Sequence, residues 1–158
     1  MLNNYLNVLE ESLEKKLAIL EQIDELSDAQ AALFKEETLD LEHFDEIVDE
    51  KDEFIDQLDG LDSGFETLYD KVRQELQKDR SKYAGQIRRM QELIARITDI
   101  SVSIQAKESR NKTAVETYFA KEKKEIAKSR KSVKAAYGYY QNMSNAGVSA
   151  ARFLDQKK

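Results

Sequence analysis

Within several stretches between residues 2 and 119, apolar residues recur at intervals of three and four, and no proline interrupts them. This spacing places apolar side chains on one face of an α-helix, whereas a proline would break a helix interior. Charged residues make up 35% of the 158 residues, and only five glycines are present. Such a composition is typical of long helices or a coiled coil. We therefore expect an all-α fold, an elongated antiparallel helical bundle or coiled-coil hairpin of three long helices.

The first apolar stripe predicts a helix over residues 2–35. Asp40 is suited to cap a second helix, because its carboxylate can accept a backbone N–H of the first turn. Gly60 and Gly64 bracket the strongest break signal in the sequence, since glycine weakens helix interiors. A short extra helix near residues 65–78 is therefore one alternative.

A second bend is expected around residues 78–85, although the apolar period continues there and leaves one unbroken helix from Phe65 as the other alternative. A third stripe follows and consists of Ile87, Met90, Ile94, Ile97 and Ile104. We expect Ile94 and Ile97 to be core residues rather than docking residues. Lys51 interrupts the second stripe and the polar run "QAKESRNK" interrupts the third. We interpret that run as a register-setting polar layer, with a seam weakened for partner binding as the alternative.

Charge is divided unevenly along the chain. Residues 1–79 hold 24 acidic and 7 basic side chains, a net charge of −17, while residues 80–158 hold 7 acidic and 18 basic, a net charge of +11. Such asymmetry indicates either a basic arm for an anionic partner or oppositely charged helices packed side by side. We expect the second, with the acidic region 36–62 beside basic parts of the third helix.

The sequence offers little that could support catalysis. There is no cysteine, and the single histidine, His43, forms with Asp40 only one weak imitation of a metal-binding repeat. No glycine-rich phosphate loop or nucleophile elbow is present. We therefore expect a non-enzyme without cofactor, metal or catalytic residues. No secretory signal and no apolar run of membrane-spanning length is found, so we expect a cytoplasmic protein without membrane insertion.

The C-terminal part, residues 121–158, is expected to be a basic, aromatic-containing binding segment of a single domain that covers residues 1–158. Residues 121–134 contain seven basic and two acidic side chains. Tyrosine offers a large contact area with a polar tip, and methionine adapts to varied surfaces. The candidate partner-binding residues are Val133, Tyr137, Tyr140 and Met143, which follow one another at helical spacing, together with Tyr118 and Phe119.

Several stretches, in this order, resemble FlgN-type flagellar export chaperones, in the form found in Gram-positive bacteria. "DLEHFDEIVDEKDEFIDQLDGLDSGFE" is similar to the family's acidic helix with its Glu-Lys pair, here Glu50 and Lys51. "QELIARITDISVSIQAKESRNKTAVETYF" is similar to its long helix, with Arg110 and Asn111 before an aromatic patch. "SRKSVKAAYGYYQNM" and "ARFLDQKK" resemble its C-terminal end. Members from other bacteria have a more extended, glycine-containing tail, whereas this chain keeps a helix-forming composition there.

The resemblance implies a cytoplasmic chaperone of flagellar type III secretion. Its clients would be hook-filament junction proteins, whose C-terminal helical segments it would shield from premature assembly and deliver to the export gate. The resemblance assigns client binding mainly to the C-terminal region. Two alternatives stay open: a structural coiled-coil adaptor that works as a homo-oligomer, and a nucleic-acid binder that uses the basic residues 121–134. The absence of an arginine-rich cluster or a nucleic-acid-binding motif argues against the latter, and we expect no nucleic-acid partner.

Overall fold

Three long helices make up the part of the chain that the computed structural model describes, residues 2–121. They are α1 (Leu2–Leu33), α2 (Leu41–Lys78) and α3 (Ala84–Lys121), and no strand occurs within those residues. The expected all-α architecture of three long helices is therefore confirmed.

The two connections lie close to where the sequence places them. At the first, Asp40 is the N-cap of α2, because its Oδ1 accepts a hydrogen bond from the backbone N–H of His43 at 3.1 Å. At the second, the backbone N–H of Asp79 donates to the carbonyl of Glu75 at 3.2 Å, and residues 79–83 form a turn. The bend expected around residues 78–85 thus exists, and the unbroken helix from Phe65 is excluded.

The break expected at Gly60 and Gly64 is wrong, and the short extra helix near residues 65–78 does not form as a separate element. Residues 65–78 complete α2 instead. Leu58 before the glycines and Phe65 after them are buried in the same core cluster. A glycine costs a helix about 1 kcal/mol relative to alanine, and the packing of residues on both sides of the two glycines outweighs that cost.

The helices alternate in direction. Hydrogen bonds from Gln86 to Asn7 and from Arg89 to Glu10 both join residues 79 positions apart in the sequence. Because this offset is constant, α1 and α3 are parallel. Lys16 of α1 contacts Asp62 of α2, whereas the later Gln30 contacts the earlier Lys51, so α2 runs antiparallel to α1. Cα atoms approach within 8 Å between α1 and each of the other two helices, but not between α2 and α3. Helix α1 is therefore the common packing partner.

The core follows the heptad spacing of a coiled coil, in which apolar positions recur alternately three and four residues apart. In α3 the buried residues keep this alternation without a break from Ile87 to Val115. Ile94 and Ile97 are each 1% exposed, which confirms their assignment to the core. One apolar cluster, which includes Leu9, Leu20 and Phe65, lies in the part of the bundle that contains the start of α1. A second apolar cluster lies at the opposite end, where α1 ends.

Gly60→Ala and Gly64→Ala should each stabilise the protein, by up to about 1 kcal/mol, because alanine is the better helix former. A Cβ atom built at either glycine meets no atom within 4 Å, so no clash opposes this gain. Urea unfolding monitored by helical circular dichroism measures the effect. A loss of stability in both variants would mean that the backbone at these glycines is not helical.

Candidate functional site

A cluster of buried polar side chains interrupts the apolar core. It lies between the two apolar clusters, since Lys51 falls between Val48 and Ile55 of α2, and Glu108 falls between Ile104 and Val115 of α3. We call it the polar layer. Its members are Ser27 and Gln30 from α1, Lys51 from α2, and Glu108 and Asn111 from α3.

The polar layer joins all three helices through Lys51. Its ammonium group donates to Gln30 Oε1 and to Glu108 Oε1, each at 2.5 Å. The hydroxyl of Ser27 lies 2.5 Å from the same Glu108 oxygen, and the amide of Asn111 donates to the backbone carbonyl of Ser27 at 3.0 Å. One lysine of α2 is therefore held by an amide of α1 and a carboxylate of α3.

Burial governs the electrostatics of this layer. Lys51 is 1% and Glu108 4% exposed. Removal from water lowers the pKa of the Lys51 ammonium group, and the adjacent Glu108 carboxylate opposes that shift. A buried ion pair adds little net stability over an apolar pair of the same volume, but a buried charge whose partner is removed costs several kcal/mol. The layer therefore penalises any register in which Lys51 does not meet Glu108.

A second ion pair crosses between α1 and α2. Lys16 Nζ lies 2.6 Å from Asp62 Oδ1, and both side chains are largely withdrawn from solvent. Burial raises the pKa of the Asp62 carboxyl, while the charge and hydrogen bond of Lys16 lower it. A void of about 10 Å³ lies beside the pair, lined in part by Leu13, Phe65 and Ile94. It has room for about one water molecule, so it is part of the packing and no binding site.

Two of the predicted partner-binding residues lie within the described chain, at the end of the bundle where α3 stops. Phe119 is buried with Leu39 and Phe44 in the second apolar cluster, and Tyr118 packs partly exposed against that cluster. The rings of Tyr118 and Phe119 meet edge to face, with centroids 5.3 Å apart. The other candidates, Val133, Tyr137, Tyr140 and Met143, lie outside the described residues.

Basic side chains of α3 form ion pairs with acidic side chains of α1 on the surface. Arg89 Nε lies 2.8 Å from Glu10, and Lys107 lies 2.9 Å from Asp24 and 3.0 Å from Asp28. The hydrogen bonds that Lys107 donates to the Asp24 and Asp28 carboxylates raise the pKa of its ammonium group. In the α2–α3 pair, α2 supplies the basic residue, Lys51, and α3 the acidic one, Glu108. The charge pattern predicts the reverse, an acidic side chain of α2 beside a basic side chain of α3. Oppositely charged helices do lie side by side, but the acidic partner of α3 in these surface pairs is α1.

The outer face of α2 carries a row of carboxylates, which we call the acidic stripe. Their spacing of three and four places them on the side of the helix opposite the buried Lys51 and Ile55, and all are exposed. Within residues 2–121, no member lies within 4.0 Å of a basic group. The members are Glu42, Glu46, Asp49, Glu53 and Asp56.

The crowding of these carboxylates affects a neighbour. Partial burial raises the pKa of Asp52, and the negative charges of Asp49 and Asp56 raise it further. Like charges at such short range disfavour the ionised form. The stripe is thus a surface that a positively charged group would stabilise.

A shallow apolar groove of about 510 Å³ runs between α1 and α2 next to the acidic stripe. Gly60 forms part of its wall and leaves open space where a side chain would stand. We call it the α1–α2 groove. It is lined by Lys15, Ala18, Ile19, Gln57, Gly60 and Leu61.

Sequence reasoning identified Lys51 and the run containing Glu108 as interruptions but did not join them. Both residues occupy heptad core positions, with Lys51 four residues before Ile55 and Glu108 four after Ile104. Opposite charges at core positions of two helices are the signal that could have paired them. The stripe and the groove were missed, because single-helix patterns do not show which faces remain uncovered.

No protein-family model, curated protein or solved structure matches this chain. The resemblance to FlgN-type chaperones therefore rests on the sequence motifs alone. Within residues 2–121, no helix is both long and apolar enough to cross a bilayer, and no three acidic or histidine side chains are grouped so that they could hold a metal ion.

Removing one partner of the polar layer should be far more harmful than removing both. Lys51→Met leaves Glu108 without its ammonium partner and should cost about 3–5 kcal/mol of unfolding free energy, whereas the double variant Lys51→Met with Glu108→Leu should be nearly neutral. Urea unfolding of both single variants and the double variant measures the coupling energy.

The surface pair of Arg96 and Glu21 is the control for this cycle. Its atoms are 3.8 Å apart and its side chains 65% and 53% exposed, so its coupling should stay below about 1 kcal/mol. Additive losses at Lys51 and Glu108 would contradict the structural role of the polar layer.

Asp52→Asn should raise stability at neutral pH. Because the pKa of Asp52 is raised above the ordinary value of 3.8, the folded state binds more protons than the unfolded state at and above that pH. Protonated Asp52 does not disfavour the folded state, whereas its ionisation lowers the free energy of unfolding as the pH rises through the folded-state pKa. The asparagine variant should gain over the parent at pH 7 and lose this advantage below pH 3.8.

Thermal melts of parent and variant across this pH range provide the measurement, with Asp70→Asn at an exposed position of α2 as the control. A gain of the Asp52 variant that is the same at both pH extremes would show that neither burial nor the neighbouring carboxylates raise the pKa of this side chain in the folded state.

Proposed function

We propose that this protein is a cytoplasmic export chaperone of the flagellar type III secretion system. It binds the C-terminal helical segments of hook-filament junction proteins, keeps them from assembling early and presents them to the export gate. The motif resemblance gives the proposal its specificity. The observation that carries it is the division of the chain into a self-contained helical scaffold and a chain segment rich in adhesive side chains beyond it.

Nearly all large apolar side chains of the helical scaffold, residues 2–121, are buried or partly buried in its own core. Within residues 2–121, the only large hydrophobic side chains described as exposed are Tyr5, Val8 and Val102. Scattered exposed side chains of this kind are normal for a folded protein. The next concentration of aromatic residues lies in the stretch 132–143. This distribution supports a scaffold that displays a binding segment rather than a scaffold that binds through its core.

The polar layer fits a protein that handles other helices. An apolar helical client offers a stripe that could replace α1, α2 or α3 in the core. A buried lysine and glutamate would lose their partners in such an exchange, at a cost of several kcal/mol. The layer therefore supports a scaffold that keeps its own three helices together while a client helix is bound elsewhere.

The competing function, a coiled-coil adaptor that works as a homo-oligomer, has less support. In this chain the three heptad faces are directed at one another within one molecule. A parallel or antiparallel homo-oligomer would need a further apolar seam along the helices. Apart from the short α1–α2 groove, the described surface shows isolated apolar residues instead.

The test is calorimetric titration of the full chain with a peptide that contains the C-terminal helical segment of a hook-filament junction protein. A one-to-one complex is expected. Tyr137→Ala with Tyr140→Ala should weaken it at least about tenfold, or 1.4 kcal/mol, without lowering the melting temperature. Tyr139→Ala is the matched control, because that residue falls outside the helical spacing of the other two.

Three outcomes would contradict the proposal. Normal peptide binding by the double variant would remove the binding segment from the mechanism. A stable homo-oligomer that ignores the peptide would favour the adaptor. Binding to an unrelated polyanion with a steep salt dependence would favour the nucleic-acid alternative.

A further inference from the structure

The acidic stripe is a helix face that no other element within residues 2–121 covers, and its negative charge favours a positively charged partner. Its five carboxylates face away from the core and have no basic partner within residues 2–121. By contrast, acidic residues of α1 are neutralised by Arg89, Arg96 and Lys107 of α3. What covers the stripe should therefore carry several positive charges.

The chain itself supplies such charges at the right end of the bundle. Helix α3 is described as far as Lys121, and Phe119 packs with Leu39 and Phe44, so the last described turn of α3 lies beside the start of α2. Residues 121–134 carry seven basic and two acidic side chains. The stripe begins at Glu42, one residue into α2. Positive charge thus continues from the point at which the negative surface begins.

The spacing of the sequence also matches the α1–α2 groove. Gln57 and Gly60 of the groove follow Leu41 by 16 and 19 residues, and Tyr137 and Tyr140 follow Lys121 by the same 16 and 19 residues. A helical course rises about 1.5 Å per residue, so both intervals correspond to about 24–29 Å. The turn that reverses the chain after Lys121 takes a few of these residues. A segment that then ran back along α2 as a helix would bring the tyrosines to within about two helical turns of the groove.

We propose that residues 122–143 dock back onto α2 of the same molecule, with the basic residues 123–134 against the acidic stripe and Tyr137 and Tyr140 in the α1–α2 groove. The stripe supplies long-range attraction and orientation, and the groove supplies apolar contact for the aromatic rings. The docked arrangement is that of the protein without a client, because a client that bound Tyr137 and Tyr140 would displace them from the groove. The docking concerns only the chain's own surface and stands whether or not the protein carries export clients.

Distance measurement between two introduced cysteines tests this docking in the full chain, which has no cysteine of its own. Ser63→Cys on the exposed side of α2 and Ser144→Cys are both conservative changes. Spin labels at these positions should give a short, narrow distance distribution at low ionic strength. The short-distance peak should shrink in about 1 M salt, where charges are screened beyond about 3 Å.

Two variants remove one half of the docking surface each. Gly60→Gln places an amide in the groove and improves helix propensity, so the scaffold stays folded; Gly85→Gln makes the same change at the start of α3. The stripe variant is Glu42→Gln, Glu46→Gln, Asp49→Asn and Glu53→Gln. Its control neutralises as many exposed carboxylates elsewhere: Glu11→Gln, Glu14→Gln, Asp70→Asn and Glu75→Gln.

The proposal requires loss of the short-distance peak in the two test variants and its retention in the two controls. It is overturned if the parent shows no short distance, which would leave the stripe to an external basic partner. It is also overturned if excess unlabelled protein removes the peak, because the segment would then reach a second copy. A peak that survives both test variants would place the segment on another surface.

Discussion

The contact between Lys51 and Glu108 is the constraint on which the arrangement of the three helices depends. An ammonium group can be buried only if carboxylate and amide oxygens meet it, and here these come from α3 and α1. Apolar heptads alone tolerate a shift of register by seven residues, because leucine and isoleucine recur at that interval. A shift would separate the charges. The polar layer therefore fixes the positions at which Glu10 faces Arg89 and Lys16 faces Asp62.

The electrostatic surface follows from this register. With α1 and α3 parallel, the acidic side chains of α1 stand beside the basic side chains of α3 and are neutralised. Helix α2 carries the larger negative charge, and within residues 2–121 its acidic stripe has no basic neighbour of this kind. Its outer face therefore retains an unbalanced field next to the point where the basic segment begins. The proposed self-docking would relieve that imbalance within one molecule.

Much of the fold could be predicted from the sequence because helix formation here depends on periodic patterns. The apolar repeat of α3 identified Ile94 and Ile97 as core residues, and Asp40 indicated the start of α2. Gly60 and Gly64 misled because local propensity is worth about 1 kcal/mol per glycine, while tertiary packing of Leu58 and Phe65 is worth more. The choice of α1 as partner of α3 could not be read from net charge, since both α1 and α2 are acidic. That choice depends on the helix register that places oxygen acceptors around the buried Lys51 ammonium group.

The parallel pairing of α1 and α3 has a consequence for the order in which the molecule can acquire its structure. Contacts between adjacent helices of a hairpin close short loops, whereas those between the first and third helix close long ones and form more slowly. Ser27 precedes its hydrogen-bond partner Glu108 by 81 residues in the sequence, and Lys51 precedes Glu108 by 57 residues. During synthesis the lysine therefore leaves the ribosome well before its carboxylate and must stay hydrated until α3 is complete. Of the three helices that the structure describes, α3 is synthesised last, and its completion allows the centre of the bundle to exclude water.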